Sequence, residues 1–254
     1  MTGYPGFGVL LARLLDHRKL DIGTLARRSG VPEPELQRVF AGIAPSPSLL
    51  RQLGPALGLH AADVFVIAGV AVPDDLAPLD AEAGEWVPQV VRRAVELPSE
   101  KKGELLHLVR SLPQRKVAQS PSFPRVDAPP PGPPGALLVR MLRYRNLRWM
   151  GIARVFHSLT GRYWSASTYG MVGAGRKELT PGLVADFGTV LGVPVGDLVA
   201  LTGVPPSEEP HTQEPAAAGV ATLIWDLRRL TADQVRHTAK AAASMWSPRP
   251  DPQR

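Results

Sequence analysis

Apolar residues recur along this chain with the spacing of one face of a helix. In the first 20 residues, Leu10, Leu11, Leu14 and Leu15 follow the i, i+1, i+4, i+5 pattern of an amphipathic helix. No stretch of the sequence shows the sustained period-2 alternation of a half-buried strand. The pattern therefore predicts an all-α protein.

The helical pattern occurs twice along the chain. Three pairs of segments match in the same order along the chain: 8–27 with 135–154, 57–70 with 191–204, and 87–102 with 220–235. The first pair aligns at an offset of 127 and the second at 134, so the second copy carries seven extra residues between them. Because three collinear matches are not expected by chance, we interpret the chain as an internal duplication.

Within each copy the pattern predicts five short helices. In the first copy Asp21 is a suitable N-cap for the second helix, and Pro32 suits the first turn of the third. Between them, Ser29-Gly30-Val31 predicts a tight turn in which glycine adopts a conformation that other residues resist. This is the layout of a helix-turn-helix domain. We therefore predict unit one at residues 8–70 and unit two at residues 135–204.

A helical hairpin is predicted after each unit, hairpin one at 82–112 and hairpin two at 216–246. Their second helices begin near Ser99 and Thr231, each followed by a carboxylate, as helix N-termini prefer. The expected role of the hairpins is dimerisation or packing back onto the units. Residues 113–134 are rich in proline and predict an extended, semi-rigid linker, which leaves the spacing of the units open.

The motifs of unit one resemble those of the lambda-repressor-like (Cro/repressor, XRE) family. The resemblance lies in the spacing L-x(4)-L-A-x-x-x-G-V at residues 20–31, in LQRVFAG at 36–42, and in LGL and DVF at 57–65. It covers residues 8–70 and, through the duplication, residues 135–204. The resemblance implies sequence-specific binding of double-stranded DNA by a bacterial transcriptional regulator, with the third helix of a unit in the major groove.

Both units depart from the family pattern. The family commonly has a phosphate-contacting Gln at the first position of helix two, where this chain has Ile22 and Trp149. In unit two the turn before the third helix is predicted to be lengthened, running over residues 155–164. In unit one the third helix begins with the acidic segment 32–35. These departures keep a second hypothesis open, a protein–protein interaction or scaffold protein built on degenerate helix-turn-helix units.

Charge distinguishes the two copies. Residues 1–112 hold 12 Lys or Arg and 13 Asp or Glu, whereas residues 135–254 hold 14 and 9. Within 135–177 there is no acidic residue, and the basic ones are Arg140, Arg143, Arg145, Arg148, Arg154, Arg162, Arg176 and Lys177. Phosphate neutralisation supplies most of the sequence-independent affinity for DNA. We therefore expect unit two to make the main DNA contact and unit one to bind DNA more weakly or to serve as a scaffold. Arg140, Arg143 and Arg145 could equally form a solvated helix face.

The predicted DNA-binding residues are Arg162, Tyr163, Ser165, Ser167, Thr168, Met171, Arg176 and Lys177 in unit two, with Gln37 and Arg38 in unit one. Ser165 can cap the third helix, and Ser167, Thr168 and Met171 are expected to face outward. Tyr169 and Val172 are expected to face the core. The basic residues before and after the helix are placed for phosphate contacts. We interpret Trp149 and Trp164 as core or interface residues.

Other classes of function find little support in the sequence. The chain has no cysteine, and its histidines show no metal-ligand spacing, so neither a disulfide nor a metal site is expected. No nucleophile arrangement or nucleotide-binding loop is recognisable, and we expect no enzyme activity and no cofactor. With no signal peptide or membrane span in the pattern, we expect a cytoplasmic, nucleoid-associated protein without membrane contact. Further alternatives are a homodimer, or a protein partner bound through unit one and the hairpins.

Overall fold

A computed structural model describes residues 4–113, 132–206, 217 and 219–246. These residues are helical and contain no strand, which confirms the all-α expectation. Within the same residues, no helix is long and apolar enough to cross a membrane. The linker predicted at 113–134 lies, apart from its first and last residues, outside the described part of the chain.

Fourteen α-helices are formed by the described residues, with one 3₁₀ turn at Glu82–Glu85. In chain order they are α1 (Phe7–Arg18), α2 (Ile22–Ser29), α3 (Glu33–Phe40), α4 (Pro47–Ala56), α5 (Ala61–Ile67), α6 (Val87–Glu96), α7 (Ser99–Ser111), α8 (Pro134–Arg143), α9 (Trp149–Thr160), α10 (Ala166–Gly173), α11 (Pro181–Leu191), α12 (Val195–Thr202), α13 (Val220–Leu227) and α14 (Ala232–Met245). Helices α1–α5 therefore correspond in order to α8–α12, and α6–α7 to α13–α14.

The seven extra residues of unit two are distributed over three places. Helix α9 has 12 residues where α2 has 8, residues 161–165 replace the shorter turn 30–32, and one more residue precedes α11. The expectation of a turn running over 155–164 is therefore wrong. Residues 155–160 instead form an added turn of α9, because Val155, Phe156 and Leu159 continue its buried face up to Gly161, whose φ of 68° ends the helix.

In both units the first helix crosses the third at a glycine. The α-carbon of Gly8 faces the carbonyl oxygen of Val39, and that of Gly135 faces the carbonyl oxygen of Val172. A Cβ at either glycine would lie closer to that oxygen than real Cβ contacts allow. The same close approach, made by corresponding residues, positions α3 in unit one and α10 in unit two.

The two units contact each other through corresponding elements. Helix α1 packs on α12, and α8, the counterpart of α1, packs on α5, the counterpart of α12. Reciprocal contact of this kind is what a two-fold axis produces in a homodimer. The chain thus contains an approximate internal two-fold axis, and the contact between the units limits the spacing that the linker composition had left open.

A buried ion pair lies at this interface. Arg145 donates to both carboxylate oxygens of Asp63 at 2.7 and 2.8 Å, and to the carbonyl oxygen of Leu191 at 2.9 Å. The side chains of Arg145 and Asp63 are both 0% exposed. Neither expectation for Arg145, a DNA-facing cation or part of a solvated helix face, is therefore correct. The bidentate pair and the carbonyl oxygen satisfy both Nη groups of a guanidinium that water cannot reach, whereas its Nε has no acceptor among the described residues.

The counterpart of this arginine makes the corresponding contacts from unit one. Arg18 donates from Nε to Asp197 at 2.9 Å and from Nη1 to the carbonyl oxygen of Leu57 at 2.6 Å. Asp197 and Leu57 are the residues that the repeat offset of 134 pairs with Asp63 and Leu191. The side chain of Arg18 is 21% exposed. One ion pair is thus repeated on each side of the interface, fully buried on one side and partly exposed on the other.

The hairpins pack against each other across the same two-fold axis. Helix α6 contacts α13 and α14, α7 contacts both as well, and α6 also packs on α9 of unit two. Thr231 caps α14 in a reciprocal capping box with Gln234. Ser99, in contrast, is the first residue of α7 and makes no capping hydrogen bond. The hairpins therefore join the two copies within one chain.

Trp225 of α13 packs hairpin two against unit one. Its ring stacks on His60 with centroids 3.6 Å apart, and the guanidinium of Arg228 lies 3.5 Å from the ring centroid. Burial lowers the pKa of His60 to about 4, so its imidazole is neutral at neutral pH. A neutral ring stacks on the indole without the cost of burying another charge beside Arg228.

Candidate nucleic-acid interface

Helix α10 lies at the surface of unit two with one side in the core. Tyr169 and Val172 are buried, and Ser167 and Met171 are exposed, all as expected. Thr168 was expected to face outward, and this is wrong, because the residue is only 5% exposed. It precedes Val172 by one helical turn and therefore shares the inward side of α10.

Ser165 occupies the N-cap position of α10 without capping it. Its hydroxyl accepts no backbone N–H and instead lies 2.8 Å from the hydroxyl of Ser167 and 3.1 Å from that of Thr168. The expectation of a side-chain cap is therefore wrong. The first-turn N–H groups of α10 are left without a side-chain acceptor, beside an exposed pair of hydroxyls.

Exposed cations lie on both flanks of α10. Arg162 and Tyr163 precede the helix, Arg176 and Lys177 follow it, and all four are exposed as predicted. The ammonium of Lys177 lies 4.6 Å from the ring centroid of Trp164, so the segments before and after the helix meet. The structure thus brings these four residues of the predicted set to one end of unit two.

The acid-free window of the sequence is less uniform in space. Of its eight cations, Arg145 is buried, Arg140 and Arg143 are half-buried, and the exposed ones are Arg148, Arg154, Arg162, Arg176 and Lys177. Carboxylates from outside the window approach two of them. Glu85 of hairpin one lies 3.8 Å from Arg148, and the buried Asp186 lies 4.0 Å from Arg162. Within the described residues, the exposed cations of this window that form no ion pair are Arg154, Arg176 and Lys177.

Unit one presents a different third helix. Gln37 and Arg38 are exposed on α3, with the amide of Gln37 3.4 Å from the carboxylate of Glu33. The repeat pairs Arg38 with Met171, so corresponding positions carry a cation in one unit and a thioether in the other. Arg27 and Arg28, which the sequence analysis did not single out, are also exposed at the end of α2.

An exposed apolar group near α10 was not anticipated. Trp149 is 47% exposed and Met150 58%, both in the first turn of α9. The Trp149 ring reaches within 4.0 Å of the position that a Cβ on Gly170 would occupy, so it lies beside α10. Core burial of Trp149 is therefore excluded, whereas Trp164 is half-buried. Helical spacing carries the signal for the exposure of Met150, which lies off the apolar face of α9. Trp149 precedes Ile152 by three residues and Phe156 by seven, so spacing places it on the buried face and does not reveal its exposure.

No protein-family model, no curated protein and no solved structure matches this chain. Its function is therefore inferred from the geometry of its own residues. The features that bear on it are the two corresponding third helices, the cations around α10 and the internal two-fold axis.

Proposed function

We propose that the protein is a bacterial transcriptional regulator that binds double-stranded DNA sequence-specifically, with α10 as its principal reading helix. The observation that supports this most is the exposure of α10 between the flanking cations Arg162, Arg176 and Lys177. A helix on a surface of this kind fits a major groove while cations on both sides contact the phosphates. The lambda-repressor-like motifs of the sequence support the same proposal.

Each exposed residue has a role in this proposal. Arg176 and Lys177 neutralise phosphates, and Arg162 and Tyr163 hold the backbone on the other flank of α10. The hydroxyls of Ser165 and Ser167 allow close approach to base edges or phosphates, and Met171 offers an apolar contact to a thymine methyl group. Thr168 is left out, because its side chain is buried behind the helix.

The internal two-fold axis bears on the shape of the DNA site. Because α3 and α10 are corresponding helices, a rotation about the two-fold axis exchanges them without shifting either along that axis. The two helices therefore lie at the same level along the axis. Dimeric helix-turn-helix proteins use this symmetry to read inverted half-sites. In this proposal a single chain covers both half-sites. The half-sites are expected to differ, because α3 carries Gln37 and Arg38 where α10 carries Gly170 and Met171.

Removing two cations beside α10 tests the proposal. We expect Arg176→Ala combined with Lys177→Ala to weaken binding to duplex genomic fragments by about 10- to 100-fold at moderate salt. The slope of log K against log salt should fall by about 2, since each phosphate contact contributes about 0.9. Arg38→Ala should change affinity less. The measurement is a salt titration of binding by fluorescence anisotropy with the full chain.

The matched control removes the same charge elsewhere. Arg92 on α6 and Lys240 on α14 are exposed cations of the hairpins, and their joint replacement by alanine should leave affinity and slope nearly unchanged. Equal weakening by both double variants would show that only net charge matters. Absence of duplex binding even at about 50 mM salt would exclude the proposal.

A second candidate function is binding of a protein partner through the same end of unit two. It is favoured by the exposed apolar side chains of Trp149, Met150, Tyr163 and Met171. Exposed apolar clusters rimmed by polar residues commonly mark protein interfaces. An interaction protein of this kind would show no salt-dependent duplex binding, so the titration above separates the two candidates.

A further inference from the structure

A cavity of about 140 Å³ lies where the two units meet. Its walls come from the start of α1, the end of α5 and the start of α8, so both copies contribute to it. Apolar side chains, among them Phe7, Val66, Ile67, Ala136 and Leu137, form about half of its lining surface, and polar atoms form the other half. The candidate DNA-contacting residues do not line it.

Arg140 is the charged residue of this lining, and no carboxylate is among the described residues that form it. Its Nε atom is fully buried without a hydrogen-bond acceptor. Burial lowers the pKa of the Arg140 guanidinium, which means that the surroundings disfavour its charge. Arg140 is half-buried, and a partly desolvated guanidinium gains from pairing with an anion. The cavity thus presents a cation for which the described chain supplies no counter-ion.

Two helix N-termini add to the positive potential of the cavity. Helix α1 begins beside it with Gly6 as N-cap, and α8 begins beside it with Pro133 as N-cap. Neither N-cap residue has a side chain that accepts a hydrogen bond. The first-turn N–H groups of both helices are therefore not capped by a side chain. Helix N-termini favour anions.

The repeat shows that this environment is particular to unit two. Arg13, the counterpart of Arg140, is exposed. At the end of α12 the phenol of Tyr4 donates to the carbonyl oxygen of Leu201 at 2.7 Å. The counterpart of Leu201 is Ile67 in the cavity wall, and Tyr4 also lines the cavity. The duplication has thus left Arg140 half-buried where its counterpart Arg13 is exposed.

We propose that this cavity is a binding site for a small monocarboxylate. The carboxylate pairs with Arg140, and an apolar body lies against Phe7, Ile67 and Leu137. An apolar cavity of about 150 Å³ in another protein holds benzene, so a ligand of the size of benzoate suits the volume. The apolar walls distinguish such a ligand from an inorganic anion. This site is independent of DNA binding.

A titration of the full chain with benzoate, monitored by calorimetry and by backbone NMR shifts, tests the site. We expect saturation with a Kd between about 0.5 and 10 mM, the range usual for ligands of this size. Arg140→Met should weaken binding at least about tenfold, the loss expected for a charge-assisted pair, while Arg13→Met should leave it unchanged. Neutral benzamide, which has the same shape, should also bind at least about tenfold more weakly.

A second variant keeps the test valid if Arg140→Met fails to fold. Ala136→Leu fills the cavity without changing charge, and it should abolish benzoate binding while Arg140→Lys retains part of it. The proposal is overturned if benzoate does not saturate below about 20 mM, twice the weakest Kd expected. It is equally overturned if Arg140→Met and Arg13→Met bind benzoate alike, or if sulfate competes as well as benzoate does.

Discussion

Replacing Arg145 by methionine is expected to lower the free energy of unfolding by about 3–5 kcal/mol. The change leaves the carboxylate of Asp63 fully buried without its cation, and it also removes the hydrogen bond to the carbonyl oxygen of Leu191. An uncompensated buried charge costs far more than the ion pair itself contributes. Urea unfolding of the full chain, followed by circular dichroism, measures the effect.

Two controls separate this mechanism from a general loss of packing. Arg18→Met removes the corresponding arginine, but its ion pair is partly exposed, so we expect a loss of about 1–2 kcal/mol. The double variant Arg145→Met/Asp63→Leu removes both buried charges and should recover most of the loss. Equal losses for the two single variants, or no recovery in the double variant, would contradict the assignment of a desolvated pair at the unit interface.

Gly135→Val is expected to lower the free energy of unfolding by about 3 kcal/mol, the second largest of the losses predicted here. The added Cβ would meet the backbone carbonyl oxygen of Val172, which has no rotamer to yield, so α8 and α10 must move apart. The same change at Gly8 acts against Val39 and should cost a similar amount. Denaturant midpoints of the variants provide the measurement.

Gly103→Val is the matched control for both glycine variants. Gly103 also lies within a helix, α7, but a Cβ there meets no atom within 4 Å. Because valine has a higher helix propensity than glycine, this variant should be neutral or gain a few tenths of a kcal/mol. A loss at Gly103 as large as that at Gly135 would mean that the cost reflects the helical glycine itself rather than the crossing of α8 and α10.

Local sequence patterns were sufficient for the helices and for some of their ends. The repeated apolar face predicts an all-α protein, and Asp21 caps α2 as expected, accepting from the N–H of Thr24 at 2.7 Å. These features depend on residues within one or two helical turns of each other. The extension of α9 could also have been found, because Val155, Phe156 and Leu159 keep the helical spacing of its buried face.

Contacts between distant segments were not accessible to the same reasoning. Arg145 and Arg148 are the same residue type in one basic stretch, yet the first is buried and the second is exposed. The difference depends on Asp63, which lies 82 residues earlier in the chain. The offset between the repeats did carry the necessary signal, because it pairs Arg18 with Arg145 and Asp63 with Asp197. Only the fold shows that these pairs meet across a two-fold axis.

Selection of bound sequences from a randomised duplex DNA library, using the full chain, tests the central proposal most directly. We predict enrichment of two different half-sites in inverted orientation, with centres about 10 base pairs or a multiple of that distance apart. The two half-site sequences should differ because α3 presents Gln37 and Arg38 to its half-site, whereas α10 presents Met171 to the other. A library that emerges without enrichment over the input would contradict DNA recognition by this protein.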